Sequence, residues 1–155
     1  MSDPNEIADI LNEAWRDVPR RVNLIRVHVS GDFFNLAYLR GWYEFARRNP
    51  SVQLYAYTKS LRFVVATLNE CPNNFRIIAS RGGRSDELID QHGLREARVV
   101  YSEAEAEALG LEIDHDDSLA AFGSDSFALL IHGTQAKGTK AAEALKLINR
   151  EKRAA

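Results

Sequence analysis

The chain has 155 residues, of which 45% are hydrophobic and 27% charged, and its formal net charge is −2. This composition is typical of a globular protein with a sizeable core, and it provides no overall field that would attract nucleic acid or an anionic membrane. No apolar run approaches the roughly 18 residues of a membrane span, and the acidic N-terminus is unlike a signal peptide. A lone cysteine, Cys71, argues against a disulfide and excludes a cysteine-ligated iron–sulfur cluster. We expect one cytoplasmic domain over residues 1–155, without a cofactor.

The first third of the chain predicts a helix and then a strand–helix–strand unit. Residues 4–18 place their apolar side chains on one helical face. Apolar and polar residues then alternate from Ile25 to Val29, which is typical of a strand. Helical spacing follows from Leu36 until Asn49 and Pro50, and residues 53–57 are strand-like and rich in aromatic side chains. A crossover of this length implies two parallel strands.

The remaining chain continues the alternation of strands and helices, within a core of residues 24–150. The predicted strands cover residues 75–79, 98–101 and 127–131. The predicted helices begin at the caps Ser60, Ser85 and Ser102 and, for the last helix, run over residues 139–150. Residues 111–126 are acidic and show no regular pattern. About five β–α units predict an α/β fold with about five mostly parallel strands.

The strands differ on their two faces, whereas strands buried on both faces of a parallel sheet are continuously apolar. His28, Tyr55 and Tyr57 fall on a polar and aromatic face, and the other face is aliphatic. This pattern predicts a partial, half-open β/α barrel with helices mainly on one face. A sheet with an open interface, or edge strands facing water, would give the same pattern. We interpret the three residues as a candidate interface, with Trp42 and Tyr43 nearby.

Glycine-rich and basic turns follow several strands, at the sheet edge where parallel α/β folds bind ligands. The segment from Gly133 to Lys140 nearly matches a P-loop, but its last two residues are exchanged, so only a weaker preference for anions remains. A second such turn runs from Ser80 to Ser85. Flexible surface loops are the alternative for both turns. The candidate anion-binding residues are Lys59, Arg81, Gly82, Gly83, Arg84, Gly133, Lys137, Gly138 and Thr139.

Acidic residues and histidines provide weaker candidates for chemistry. Asp32 and His132 lie near the same predicted edge, where they could act as an acid–base pair. Asp114, His115 and Asp116 offer metal-ligating atoms, but they are consecutive and lack the spacing of a calcium loop. An exposed loop is the alternative for these three residues. We therefore predict no metal site.

Four stretches resemble a bacteriophage family known as gene product eighty-eight: RVHVSGDFF, VQLYAYTKS, DHDDS and FALLIHGTQAKG. The resemblance covers about residues 24–140. Longer members of that family place a cysteine-rich segment before this region, which makes them distantly similar to the partial barrels of radical S-adenosylmethionine enzymes. The single cysteine departs from that pattern. The resemblance implies a phage origin and a partial barrel. It also implies that the chain is a shortened relative that has lost the cluster chemistry, or that it never had this chemistry.

Two functions remain open from the sequence. The first is a small phage-encoded binding protein that acts on a host or phage macromolecule, or sequesters an anionic small ligand such as one containing phosphate. Its partner would be a protein or a second copy of the chain, whereas nucleic acid and membrane are disfavoured by the charge. The second is an enzyme or nucleotide-binding domain at the carboxyl edge of the strands. Its residues would be Asp32, Lys59, Arg81, His132 and Lys137.

Overall fold

A computed structural model describes residues 3–132 and 138–154. The elements in chain order are α1 (Pro4–Trp15), β1 (Leu24–Arg26), α2 (Leu36–Arg48), β2 (Gln53–Thr58), α3 (Leu61–Ala66), β3 (Phe75–Ser80), α4 (Glu87–His92), β4 (Glu96–Val100), α5 (Glu103–Ala108), α6 (Ser118–Phe122), β5 (Phe127–Leu130) and α7 (Lys140–Ala154).

The strands form one five-stranded sheet in sequence order, and every neighbouring pair is parallel. The sheet curls into a half-barrel, which confirms the predicted α/β partial barrel. Because all strands run the same way, the loops that follow β1 to β5 lie at a common carboxyl edge. The register pairs Ile25 of β1 with Leu54 of β2, and Tyr57 of β2 with Ile78 of β3. The inner-facing Tyr57 therefore lies beside β3.

The outer face of the sheet packs against the helices. Leu54 and Ala56 of β2 are fully buried there, together with Leu39 and Phe45 of α2. α1 lies against α2 at Gly41, where a β-carbon would come within 2.4 Å of the Cγ2 atom of Ile7. Glycine is therefore required for the close approach of these two helices. This layer holds the β1–α2 unit in place.

The inner face of the half-barrel is covered by the chain itself. Ala120 and Ala121 of α6 are buried against Tyr55, Ile78 and Phe127. Their small side chains allow the short helix to lie close to the sheet. Arg95 fastens α6 by donating hydrogen bonds to the carbonyls of Leu119 and Ala120, and also to that of Asp125. The segment 111–126, which was predicted to be irregular, thus contains a helix that covers the inner face of the half-barrel.

Several predicted elements need correction. β1 ends at Arg26 rather than Val29, because His28 takes a left-handed conformation with φ of 67°. α1 ends at Trp15, three residues before its predicted end. α4 begins after Asp86 rather than Ser85, and β4 begins at Glu96. The predicted cap at Ser102 is confirmed, since its hydroxyl accepts a hydrogen bond from the Glu105 amide.

Candidate functional site

The loop between β1 and α2, residues 27–35, is fastened by the carboxylate of Asp32. Its Oδ1 accepts hydrogen bonds from the Phe33 amide at 2.7 Å and the Thr58 hydroxyl at 2.5 Å, and its Oδ2 accepts one from the Lys59 amide at 2.7 Å. The Ser60 hydroxyl donates to the Phe33 carbonyl at 2.7 Å. These bonds join the loop to the end of β2. Asp32, predicted as a catalytic candidate, is thus engaged in holding the loop.

Two apolar side chains of this loop face outward. Val29 is 89% exposed and Phe34 is 67% exposed, whereas Phe33 between them is buried. The Phe34 ring stacks on Tyr38 of α2 with 4.5 Å between ring centroids. We call the two exposed apolar side chains of this loop, together with the ring on which Phe34 stacks, the edge patch, and define it as Val29, Phe34 and Tyr38.

His28 lies behind the edge patch, not on the inner sheet face where the alternation pattern placed it. Its ring packs against Phe33, Tyr38 and Trp42, and its Nε2 is 3.1 Å from the Tyr38 hydroxyl. The placement beside Tyr55 and Tyr57 is therefore wrong, because the chain leaves the strand before residue 28. Burial lowers the pKa of His28, and the nearby Asp32 carboxylate opposes that shift.

The predicted anion-binding residues after β3 lie close together, but the group that they contact is a carboxylate of the same chain. The amides of Gly82 and Gly83 donate to the Asp86 carboxylate at 2.8 and 2.9 Å. The Lys59 ammonium contacts the carbonyls of Ser80 and Arg81 at 3.3 and 3.4 Å. Gly82 has φ of 106°, which suits glycine alone.

Arginines near this turn do not gather around an external ligand. The Arg81 guanidinium bonds to Glu96 and Asp90, and these hydrogen bonds raise its pKa. Arg84 is exposed. The pattern of glycines and cations predicted a turn that binds an external anion, and it could not show that the amides of Gly82 and Gly83 bond to Asp86 of the same chain.

The inner-face tyrosines converge on Asp117 at the start of α6. The hydroxyls of Tyr55 and Tyr57 each donate to this carboxylate at 2.9 Å, and Arg26 donates a third bond at 2.9 Å. Burial raises the pKa of Tyr55 to about 12, with a further contribution from Asp117. Tyr55 is only 5% exposed, so the expectation of an open tyrosine face is wrong. Tyr43, expected nearby, is buried on the helix side against Phe75.

The acidic residues before α6 have separate structural partners. Asp114 is buried and accepts hydrogen bonds from the amides of Ala120 and Asp116. Asp116 accepts a hydrogen bond from the Ser118 amide. Hydrogen bonds with Ser118 lower the pKa of the Asp116 carboxyl below its usual value. Within residues 3–132 and 138–154, no group of three acidic, histidine or cysteine side chains is arranged to hold a metal ion.

His132, the second catalytic candidate, lies in a different place from Asp32. It lines a cleft of about 430 Å³ between the ends of β1 and β5, together with Arg26, His115 and Asp116. Lys59 and Asp32 do not line this cleft. Gly138 and Thr139 precede α7, and the Thr139 hydroxyl accepts a bond from the Ala142 amide. Gly133 and Lys137 lie outside the described residues.

The described helices include none that is both long and apolar enough to cross a lipid bilayer. The sequence did not predict the edge patch, although Phe34 is the last residue of the stretch RVHVSGDFF that carries part of the family resemblance. It also did not predict that Arg26, Tyr55 and Tyr57, which are distant in sequence, bond to Asp117.

The fold and site define a class of small parallel α/β proteins in which a half-barrel is closed by its own acidic segment. The model of the family described as Gene product 88 matches residues 4–151, and the chain belongs to this phage protein family. It is also similar to the Gene 88 protein of Mycobacterium phage L5, with 38% identity over 55 residues. That match covers 34% of this chain and 23% of the length of the mycobacteriophage protein. No solved structure matches the chain.

Proposed function

We propose that the chain is a binding protein that contacts a protein partner through the edge patch. The observation that carries this proposal is the 89% exposure of Val29 and the 67% exposure of Phe34 on a loop whose centre is fixed by Asp32. An exposed apolar side chain does not stabilise the fold, because the favourable free energy comes from burying apolar surface. A loop that holds them rigidly outward loses little conformational entropy on binding.

The chemistry of the patch indicates the kind of partner. A Phe ring stacked on a Tyr ring is a rigid anchor of the type that fills an apolar pocket in an interface. We therefore propose a protein partner with an apolar pocket that receives the Phe34 ring.

The alternative, an enzyme or nucleotide-binding domain at the carboxyl edge, is less well supported. Asp32 and Arg81 are engaged by groups of this chain, and His132 lies in a separate cleft. The glycine amides after β3 hold Asp86, which disfavours sequestration of a small anion at that turn. Nucleic acid is also disfavoured, because the basic pair Arg47 and Arg48 contacts Glu44.

The test is quantitative affinity capture from phage-infected host cells with the wild-type chain and two Phe→Ser variants. Phe34→Ser removes the patch anchor, and Phe122→Ser removes a Phe of similar exposure, 65%, on α6. We expect a protein retained by the wild type and by Phe122→Ser to be lost with Phe34→Ser, by at least about tenfold, as for an interface anchor. Equal retention by all three would contradict the proposal, as would a patch-dependent dimer in light scattering with no other protein retained.

A further inference from the structure

The cleft between the ends of β1 and β5 is separate from the edge patch and has its own chemistry. Its volume of about 430 Å³ is within the range of small-molecule sites. One wall is the apolar end of β5 with Leu129, Leu130 and Ile131. Arg26 and the acidic segment before α6 also line the cleft, and this segment runs beside β5, because the Asp114 amide donates to the Ala128 carbonyl. Apolar side chains beside fixed charges favour a ligand with an apolar body and a charged end.

Arg26 is held in position before any ligand arrives. Its Nη1 donates to Asp117 at 2.9 Å, and its guanidinium carbon lies 5.1 Å from the centroid of the Tyr57 ring. Asp117 is itself fixed by the two tyrosine hydroxyls. The side chain of Arg26 is still 41% exposed. A planar guanidinium bonded through one nitrogen has further N–H groups for a carboxylate.

Asp116 adds an exposed carboxylate to the cleft, which His115 and His132 also line. Asp117 is neutralised by Arg26, whereas Asp116 is exposed and has a carboxylate whose pKa is lowered by hydrogen bonds to Ser118. A simple anion would be repelled by Asp116, and a simple cation would leave the Arg26 donors without an acceptor. A ligand that carries both charges satisfies the two groups together.

We propose that this cleft binds a small zwitterion with an aliphatic side chain, of the α-amino-acid type. Its carboxylate contacts Arg26, its ammonium is attracted by Asp116, and its side chain packs on the end of β5 at Leu129, which lies on the same face of the sheet as Arg26. The shape and charges of the cleft support this assignment independently of any protein partner.

Three probes separate the contributions of the two charges. L-leucine carries both charges, 4-methylpentanoate lacks the ammonium, and 3-methylbutylamine lacks the carboxylate. Each is titrated into the full chain while NMR follows the amides of residues 129–132 and the side-chain N–H of Arg26. We expect leucine to bind at least about tenfold more tightly than either single-charge probe, which corresponds to about 1.4 kcal/mol.

Variants assign the charges to residues. Arg26→Gln is expected to reduce leucine to the affinity of the amine, and Asp116→Asn to reduce it to the affinity of the carboxylate probe. Arg40→Gln is the matched control, since Arg40 has the same 41% exposure and is paired with Glu70 on the helix side. Melting temperatures check that each variant is folded. Equal affinities for the three probes, no shifts at residues 129–132, or an equal loss in Arg40→Gln would overturn the proposal.

Discussion

Asp32 accepts three hydrogen bonds, two of them from residues at the end of β2 that are 26 and 27 positions away. A charged acceptor with donors at 2.5 to 2.7 Å makes strong hydrogen bonds. The loop would otherwise be a flexible glycine-containing connection. This carboxylate therefore contributes to the position of the edge patch, together with the Ser60 hydroxyl and the buried Phe33 ring.

Replacing Asp32 by Ala should lower the free energy of unfolding by about 2 kcal/mol, because the Thr58 hydroxyl and two amides lose a charged acceptor. Asp32→Asn keeps the shape and one acceptor oxygen, so we expect roughly half that loss. Urea titration measures both values. Asp125→Ala is the control, since Asp125 is exposed and contributes its backbone carbonyl to Arg95. Equal stability of Asp32→Ala and the control would contradict this role.

His28 provides a pH dependence in the same loop. Burial lowers its pKa from the ordinary 6.5, so the folded chain favours the neutral ring while the unfolded chain takes up a proton first. The stability contributed by neutral His28 is thus present above pH 6.5 and declines as the pH falls below it towards the lower folded pKa. Tyr38 and Asp32 are the polar groups that face the ring.

His28→Asn removes this titration, and Asn tolerates a left-handed backbone. Between about pH 7.5 and about pH 5, we expect the unfolding free energy of the wild type to fall further than that of the variant. The difference between the two pH profiles isolates His28, because the other groups titrate in both chains. Parallel profiles would show that the buried ring does not control the loop.

At the scale of elements, periodicity explains what could be predicted. The strands at 53–58 and 75–80 and the helix at 36–48 carry long apolar patterns, and their placement followed from those patterns. α6 has five residues, including two buried alanines, and no repeating pattern. It forms because Arg95 and Asp114 bind its backbone, and these tertiary contacts leave no local signal.

The same contacts predict how α6 can be released. Arg95→Met removes hydrogen bonds to the carbonyls of Leu119, Ala120 and Asp125 while keeping an apolar stem. Amide hydrogen exchange over residues 119–123 should rise at least about tenfold, which corresponds to about 1.4 kcal/mol of local stability. Arg98→Met is the control, because Arg98 bonds to Glu96. An equal rise in both variants would contradict the role of Arg95 as the fastening of α6.

In the whole molecule, two separate surfaces carry the candidate binding groups. The edge patch presents apolar side chains, and the β1–β5 cleft presents opposite charges beside an apolar wall. The sequence predicted parallel strands, which the structure confirms, and from them a ligand site at the carboxyl edge, which stays a prediction. It could not show which polar residues are engaged internally, because Asp86 and Asp117 find their partners only in the fold.

Site-specific photocrosslinking shows whether a protein partner contacts the edge patch. A photoreactive phenylalanine analogue is placed at position 34 in one chain and at position 122 in another, and both are irradiated in phage-infected cells. We expect one discrete heterologous protein to be crosslinked from position 34 and not from position 122. A product that is the same from both positions, or crosslinks from position 34 that join only copies of this chain, would contradict a protein partner at the edge patch.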